Sequence, residues 1–443
     1  MKKEYLKRNI DAELLAWSKE PNRKPLLLRG ARQVGKSSAV TELAKHFDAF
    51  LEVNFEEQKQ VHTLFDQDLS PIDLCNKLSV YFNMSIIPGK TLVFFDEIQA
   101  CIPAISSLRF FYEKYPELHI IAAGSLLEFA LSELPSFGVG RVRSLFVYPF
   151  SFDEFLLACS EPLLLEAKKQ ASPISPLPEA IHQKLVDYFK QFLILGGMPE
   201  VIAQFAFNKD ILACQRILDD LIISLQADFT KYKQRVPASR IREVFESTVH
   251  QAGGQFVYSK AAEANHLQIK EALDLLIMAG LVIPVTASSA NGLPLGAEVN
   301  PKKCKMLLFD TGIFQRVLGL PIAEVLFSND FDVINKGAIA EQYVGLELQK
   351  STSCYHHEEL YFWKREALNS NAEVDYLLQS KQSILPIEVK SGKKGSMQSL
   401  FLFLKEKNGF MGIRASLENF SCYENIKVYP LYAISNIRHM VIG

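Results

Sequence analysis

The stretch LLLRGARQVGKSSAV, Leu26 to Val40, decides how the first third of this 443-residue chain is read. An apolar run enters, a loop closes between Gly30 and Gly35, and Lys36-Ser37 opens a helical pattern. GARQVGKS satisfies G-x-x-x-x-G-K-[ST], and strand before, helix after is the context that motif needs. The main-chain N–H groups of Gly30, Ala31, Arg32, Gln33, Val34, Gly35, Lys36, Ser37 and Ser38 can then wrap phosphate oxygens, helped by the positive end of a helix. Lys36 supplies a point charge for the β- and γ-phosphates, and Ser37 a hydroxyl for Mg²⁺. A glycine turn can match the pattern by accident, but the strand-loop-helix frame argues against that here.

Working outward, TLVFFDEIQ (Thr91–Gln99) is a near-continuous apolar run ending in two acids. Buried parallel strands read this way, and ligands in such sheets sit at the carboxyl ends of the strands. Asp96 is placed to hold the Mg²⁺ shell, and Glu97 to orient and polarise an attacking water. The pair therefore points to ATP binding and hydrolysis with Mg²⁺. Strand-like runs PLLLRG, AFLEVNF, KTLVFFDE, LHIIAAGS and RSLFVYP alternate with helical patterns through residues 1–160. Alternation predicts an α/β unit, a parallel sheet covered by helices. Ser125, ending AAGS, can reach the γ-phosphate or the water; a Gly-Ser strand end is otherwise a plain turn. Arg141 and Arg143 precede the next strand. Either, reaching a nucleotide in a neighbouring subunit, would stabilise the charge of phosphoryl transfer and make the protein a homo-oligomer. Surface charge is the bland alternative for both; Gly140 frees the backbone beside Arg141 and favours it.

The bulk composition narrows the setting. The chain is too long for one core, so two to four domains are expected. A net charge of -2 offers no global field for nucleic acid, so any DNA contact must come from a local patch. Seven scattered cysteines suggest neither a disulfide framework nor a zinc ribbon and fit a reducing cytoplasm. The N-terminal segment carries charge throughout, unlike a signal peptide, and no apolar run is long enough to span a bilayer, so no membrane partner is expected.

KKQASPISPLPEA, rich in Pro and Ser, reads as a linker. Residues 181–233 read as a helical lid, interrupted by LGGMPE. Residues 237–320 read as a winged-helix-like segment whose last helix carries Ile269, Ala272, Leu273, Leu276 and Ile277 on one face. Its outward residues Gln268, Lys270 and Glu271 are not strongly basic. Groove binding, protein contact and simple packing all stay open. His266, His356 and His357 show no metal-ligand spacing.

Beyond residue 335 a further α/β unit begins. AEVDYLLQSKQSILPIEVK reads as two strands around SKQS. A hairpin symmetric about Lys381-Gln382 places Asp375 opposite Glu388, and opposed residues share a side of a sheet. Lys390, two positions on, shares it too. Upstream, Glu341 falls on the apolar face of a helical pattern with Val344 and Leu348. Glu341, Asp375, Glu388 and Lys390 thus form a candidate Mg²⁺ site matching the D-(x)n-E-x-K order of restriction-enzyme-like nucleases. Lys393 and Lys394 could steer a phosphate backbone toward it. Cross-strand pairing on an exposed hairpin is the competing explanation.

GARQVGKS, FFDEIQ, AAGS, GRVRSLFVYPFSFDEFL and GGMPE, with LLFDTGIFQRVLGL, KGAIAEQYV, AEVDYLL and PIEVKSG, resemble prokaryotic AAA-type ATPases that carry a C-terminal restriction-endonuclease-like domain of unknown function. The resemblance covers nearly the whole chain. It implies an AAA-like core, a winged-helix segment and a nuclease-like α/β domain over 335–443, and it supports the roles given to Ser125 and Arg141. Ser37 stands where many relatives have Thr, and the SPISPLPEA segment looks longer than usual. Two outcomes follow: an ATP-driven switch or motor coupled to a DNA-linked nuclease, or an ATP-gated docking protein whose tail is catalytically silent.

Overall fold

The computed structural model describes residues 5–66, 69–133, 140–232, 236–321, 336–366, 371–380, 383–392 and 395–442. The chain divides into two compact units: 1–148 with 278–280 and 353–357, and the remainder.

The first unit is built on five parallel strands, β1 (Leu26–Arg29), β2 (Ala49–Asn54), β3 (Thr91–Asp96), β4 (His119–Ala123) and β5 (Arg143–Phe146), in the order β2-β3-β4-β1-β5. Every residue of β3 and β4 is buried, which is why both read as unbroken apolar runs. Because β4 is inserted between β1 and β3, the ends of these three strands stand side by side. Leu27, Val93, Phe95 and Ile120 pack with Leu108 and Phe111 of the helix Ile102–Lys114 in one core. β5 is an edge strand, and the Phe146 N–H donates to the Cys354 carbonyl at 2.8 Å, so 353–357 covers part of that edge. His357, in this segment, lies against the Phe146 ring rather than in a metal site.

The second unit carries an eight-stranded mixed sheet in the order β12-β13-β11-β10-β9-β8-β6-β7. Its strands are β6 (Val282–Ser288), β7 (Val299–Leu308), β8 (Leu360–Lys364), β9 (Glu373–Ser380), β10 (Ser383–Val389), β11 (Gly412–Ser416), β12 (Ser421–Tyr423) and β13 (Ile426–Pro430). β9 and β10 pair from Ser380↔Ser383 to Tyr376↔Ile387, the symmetric register expected from the sequence. The turn residues Lys381-Gln382, and Lys393-Lys394, lie outside the described residues. Helices Ala238–His250 and His266–Met278 precede the β6-β7 hairpin. β6 also pairs in parallel with β8, from Val285↔Leu360 to Ala287↔Phe362, so one sheet crosses the join expected between residues 320 and 335.

Helices Glu179–Leu195, Pro199–Asn208 and Ile211–Asp228 form the expected helical stretch, broken at Gly196-Gly197. That break has a partner in FDTG. Asp310 is 1% exposed; its carboxylate accepts the Gly197 N–H at 2.6 Å and caps the helix Thr311–Val317 through the Ile313 N–H at 3.0 Å. A Cβ on Gly197 would stand 2.3 Å from the Phe150 carbonyl oxygen, and one on Gly312 2.2 Å from that of Leu195. Only glycine permits these approaches.

The first residues of the proline-rich linker are not loop. Lys168 lies in the helix Pro162–Gln170, has no exposed surface, and donates to Asp153 at 2.5 Å and Asn436 at 3.2 Å. The Pro- and Ser-rich composition carries no trace of this ion pair, whose lysine is fully buried. Among the described residues no helix is long and apolar enough to cross a membrane.

Candidate functional site

The loop after β1 closes as the sequence requires. Gly30 (φ 135°), Gln33 (φ 62°) and Gly35 (φ 95°) take positive φ, and a Cβ on Gly30 would fall 2.1 Å from the Val147 carbonyl oxygen. Lys36, Ser37 and Ser38 begin the helix Lys36–Ala44, and no side chain caps its first turn. Its leading N–H groups are therefore left to a ligand, the arrangement that binds phosphate. Arg8 braces the loop by donating to the Val34 carbonyl at 3.1 Å and the Tyr148 carbonyl at 2.7 Å. Nothing in its N-terminal sequence context marked it for that task.

The Lys36 ammonium folds back on its own loop, donating to the Gly30 and Ala31 carbonyls at 2.9 and 2.8 Å. Burial lowers its pKa to about 8, against the pull of Glu97 and Asp96. The Ser37 hydroxyl donates to Asp96 at 3.2 Å. Burial, then the neighbouring Glu97, raise the Asp96 carboxyl to about 6. A triphosphate would stabilise the charged lysine, and a divalent cation the charged aspartate, so both shifts have the sign that Mg-ATP reverses. The residues fit that ligand.

Glu97 adopts a left-handed backbone (φ 47°, ψ 42°) at the end of β3. Such a conformation in a non-glycine residue costs of order 1–3 kcal/mol and is retained where surroundings enforce it. Its Oε2 accepts from the Ser125 N–H at 3.2 Å, the Ser125 hydroxyl at 3.0 Å and Gln99 Nε2 at 2.6 Å. The structure therefore joins Ser125 to Glu97. It adds Gln99, which the sequence presented within DEIQ with no role attached. A Cβ at Gly124 would lie 2.0 Å from Gln99 Oε1, so that glycine makes room for the amide.

The two arginines are engaged elsewhere in the same unit. Arg141 pairs with Glu113 on the helix Ile102–Lys114. Arg143 donates to Glu20 at 2.7 Å and stacks over the Tyr355 ring. Neither partner belongs to the phosphate loop or to the strand-end acids.

In the second unit, Glu341 on the helix Lys336–Lys350, Asp375 on β9, and Glu388, Val389 and Lys390 line a cavity of about 350 Å³. Glu341 is turned inward, as its apolar face predicted. Lys390 Nζ donates to Glu388 Oε1 at 2.6 Å, and Asp375 accepts the Val389 N–H at 2.8 Å. Burial, then Asp375, raise Glu341 and Glu388 to about 7; burial also raises Asp375. Two charged residues of this cluster had no signal in the sequence: Lys305 on β7, which pairs with Glu341 at 2.6 Å, and Glu373 on β9, 2.5 Å from the same ammonium. Lys305 precedes the motif-bearing segment by a long interval, so no local spacing could tie it to the acids. Among the described residues no group of three or more His, Cys, Asp or Glu side chains has the convergence of a metal site.

Comparison with known proteins bears on both units. Residues 22–156 match the model of an AAA domain family, residues 186–323 a domain of unknown function (DUF8612) and residues 336–434 another (DUF4143). No curated protein matches the chain. Similar solved structures include a Walker-type ATPase of Pyrococcus abyssi, at 15% identity, covering 72% of this chain and 97% of that one with a TM-score of 0.46. The ORC1 protein of Aeropyrum pernix in complex with DNA is 11% identical over 72% of this chain and 94% of that one, at a TM-score of 0.27. Cdc6p of Pyrobaculum aerophilum is 12% identical over 74% and 97%, at 0.26. The family match over 22–156 identifies an AAA-type ATPase domain; neither tail match carries an activity in its description.

Proposed function

We propose, taking as premise that the first unit is an AAA-type ATPase, that this protein is a Mg-ATP-driven switch whose nucleotide state acts on the tail unit. The observation that carries the hydrolytic part is Glu97: a half-buried carboxylate on a strained backbone, held by Ser125 and Gln99 beside Asp96 and Ser37. ATP, when bound, supplies the phosphoanhydride that is cleaved. The chain's own residues do the rest. Lys36 would leave its loop carbonyls to neutralise phosphate charge, Ser37 and Asp96 would hold Mg²⁺, and Glu97 would orient water with Ser125 fixing its carboxylate. Arg141 acts from a neighbouring copy in a homo-oligomer, for which it must exchange Glu113 for the partner's nucleotide.

For the tail, we favour a DNA-linked module built on the nuclease-like carboxylate set Glu341, Asp375 and Glu388 with Lys390. A docking surface without catalysis is the second reading, favoured by Lys305 standing among those acids. The test is nucleotide turnover by the purified full chain, with and without DNA. Lys36→Ala should lose ATP binding; Glu97→Gln should bind ATP and lose turnover by about 10²-fold or more, the range of a positioned base. Unchanged turnover in Glu97→Gln removes that residue from the chemistry. Stimulation by DNA supports the DNA-linked reading, and indifference the docking one.

A further inference from the structure

We propose that Lys305 is the resident cation of the tail's acid cluster, and that a divalent metal ion enters only by displacing it. This deepens the metal reading of that cluster and rests on it. Lys305 is 2% exposed. Its ammonium lies 2.6 Å from Glu341 Oε1, 2.5 Å from Glu373 Oε1 and 3.7 Å from Asp375 Oδ1, above the Phe362 ring. Two of the three oxygens it engages belong to residues that a metal at this site would need.

Among the described residues the cavity holds a buried acceptor without a hydrogen-bond partner. Glu388 is 5% exposed; Lys390 occupies its Oε1, while Oε2 has no hydrogen-bond partner. Ala252, Gly253, Gly337 and Ala338, with little or no side chain, complete the lining of this cavity of about 350 Å³. An unpaired buried carboxylate oxygen is costly, and hard divalent cations take such oxygens at about 2.0–2.6 Å.

Shared oxygens decide between addition and exchange. The Lys305 ammonium already sits 2.6 Å from Glu341 Oε1 and 3.7 Å from Asp375 Oδ1, so an ion bound through those carboxylates competes with it for the same place. Two cations held that close on the same acids repel one another. Among the described residues no three acids converge as a metal site does, and in this cluster the ammonium stands between them.

The test is a Mn²⁺ titration of the full-length protein followed by electron paramagnetic resonance, with melting curves in EDTA and in Mn²⁺. Lys305→Met should bind Mn²⁺ roughly tenfold or more tightly than the unaltered protein, within the usual range of coupling between competing ligands. Its melting temperature should fall in EDTA and recover with Mn²⁺, and Asp375→Asn added to it should abolish the gain. Equal, tight binding by both proteins overturns the exchange, and leaves the metal reading intact where Asp375→Asn abolishes that binding. Millimolar Mn²⁺ binding to neither overturns both. A gain that survives Asp375→Asn places the metal elsewhere and also overturns the proposal. Should Lys305→Met not fold, Lys305→Met with Glu373→Gln removes one charge of each sign and answers the same question.

Discussion

Replacing Asp310 with alanine should destabilise the second unit by about 3–5 kcal/mol. Two bonds set the figure: the Gly197 N–H at 2.6 Å and the Ile313 N–H at 3.0 Å, both to a carboxylate with 1% exposure. Hydrogen bonds to a charged acceptor contribute roughly 1.5–3 kcal/mol each. Loss of an N-cap typically costs about 1 kcal/mol, which places the Ile313 bond at the low end. The Gly197 bond belongs at the high end. Its donor is enclosed in the Gly196-Gly197 turn against Phe150 and Gly312, where a replacement water has no room. Asp310→Asn keeps the shape and one acceptor oxygen but aims an amide N–H₂ at the other donor, so about half the loss is expected. The assay is urea unfolding followed by fluorescence. Each unit holds one buried tryptophan, Trp17 in the first and Trp363 in the second, so a Trp17→Phe background reports the second unit alone. A shift of less than about 1 kcal/mol in Asp310→Ala would show that the turn finds other acceptors and would refute the reasoning.

Gly30→Ala should abolish binding of a fluorescent ATP analogue, because the new Cβ meets the Val147 carbonyl oxygen at 2.1 Å and the loop must open; retained affinity would show that the cradle is plastic. Lys168→Met should cost about 3 kcal/mol, the low end for a broken buried pair because the Asp153 carboxylate it leaves is only partly buried, and Asp153→Leu added to it should restore much of the loss; a urea midpoint for the pair as low as for the single variant would count against a mainly electrostatic origin. Glu341 and Glu388 rise from 4.5 to about 7 on folding, so between those values the folded chain binds protons that the unfolded chain has released. Their contribution to stability is full below about pH 4.5 and lost as pH rises through 7. Urea midpoints should thus fall from pH 5 to pH 8, and Glu388→Gln should flatten that slope; a steeper slope in the variant would contradict the sign.

The first unit was largely legible because its signals are local. A glycine loop, a strand before it and a helix after it occupy adjacent residues, and β3 and β4 are buried on both faces and so spell themselves as apolar runs. The β9-β10 register was legible for a similar reason: a short turn ties pairing to sequence distance. Nonlocal pairings left no such trace. Lys305 meets Glu341 across two elements, Arg8 meets Val34 through the tertiary fold, and Lys168 sits in a stretch whose composition says loop. The two arginines show the limit from another side. Arg141 lies before β5 as read, while Arg143 is the first residue of that strand, and the partner each takes, Glu113 or Glu20, is set by packing.

The parallel pairing of β6 with β8 has a consequence for how this chain can be divided or inherited. The two tail families meet between residues 323 and 336, but the hydrogen-bond ladder runs straight across that seam. A fragment beginning at the seam would leave β8 with a raw flank, an invitation to stick to other molecules, and would strip the acid cluster of its β7 lysine. Recombination at the same point would splice strangers into one sheet. The two matched segments are therefore parts of one folding unit, and a cut between them divides a sheet rather than separating two bodies.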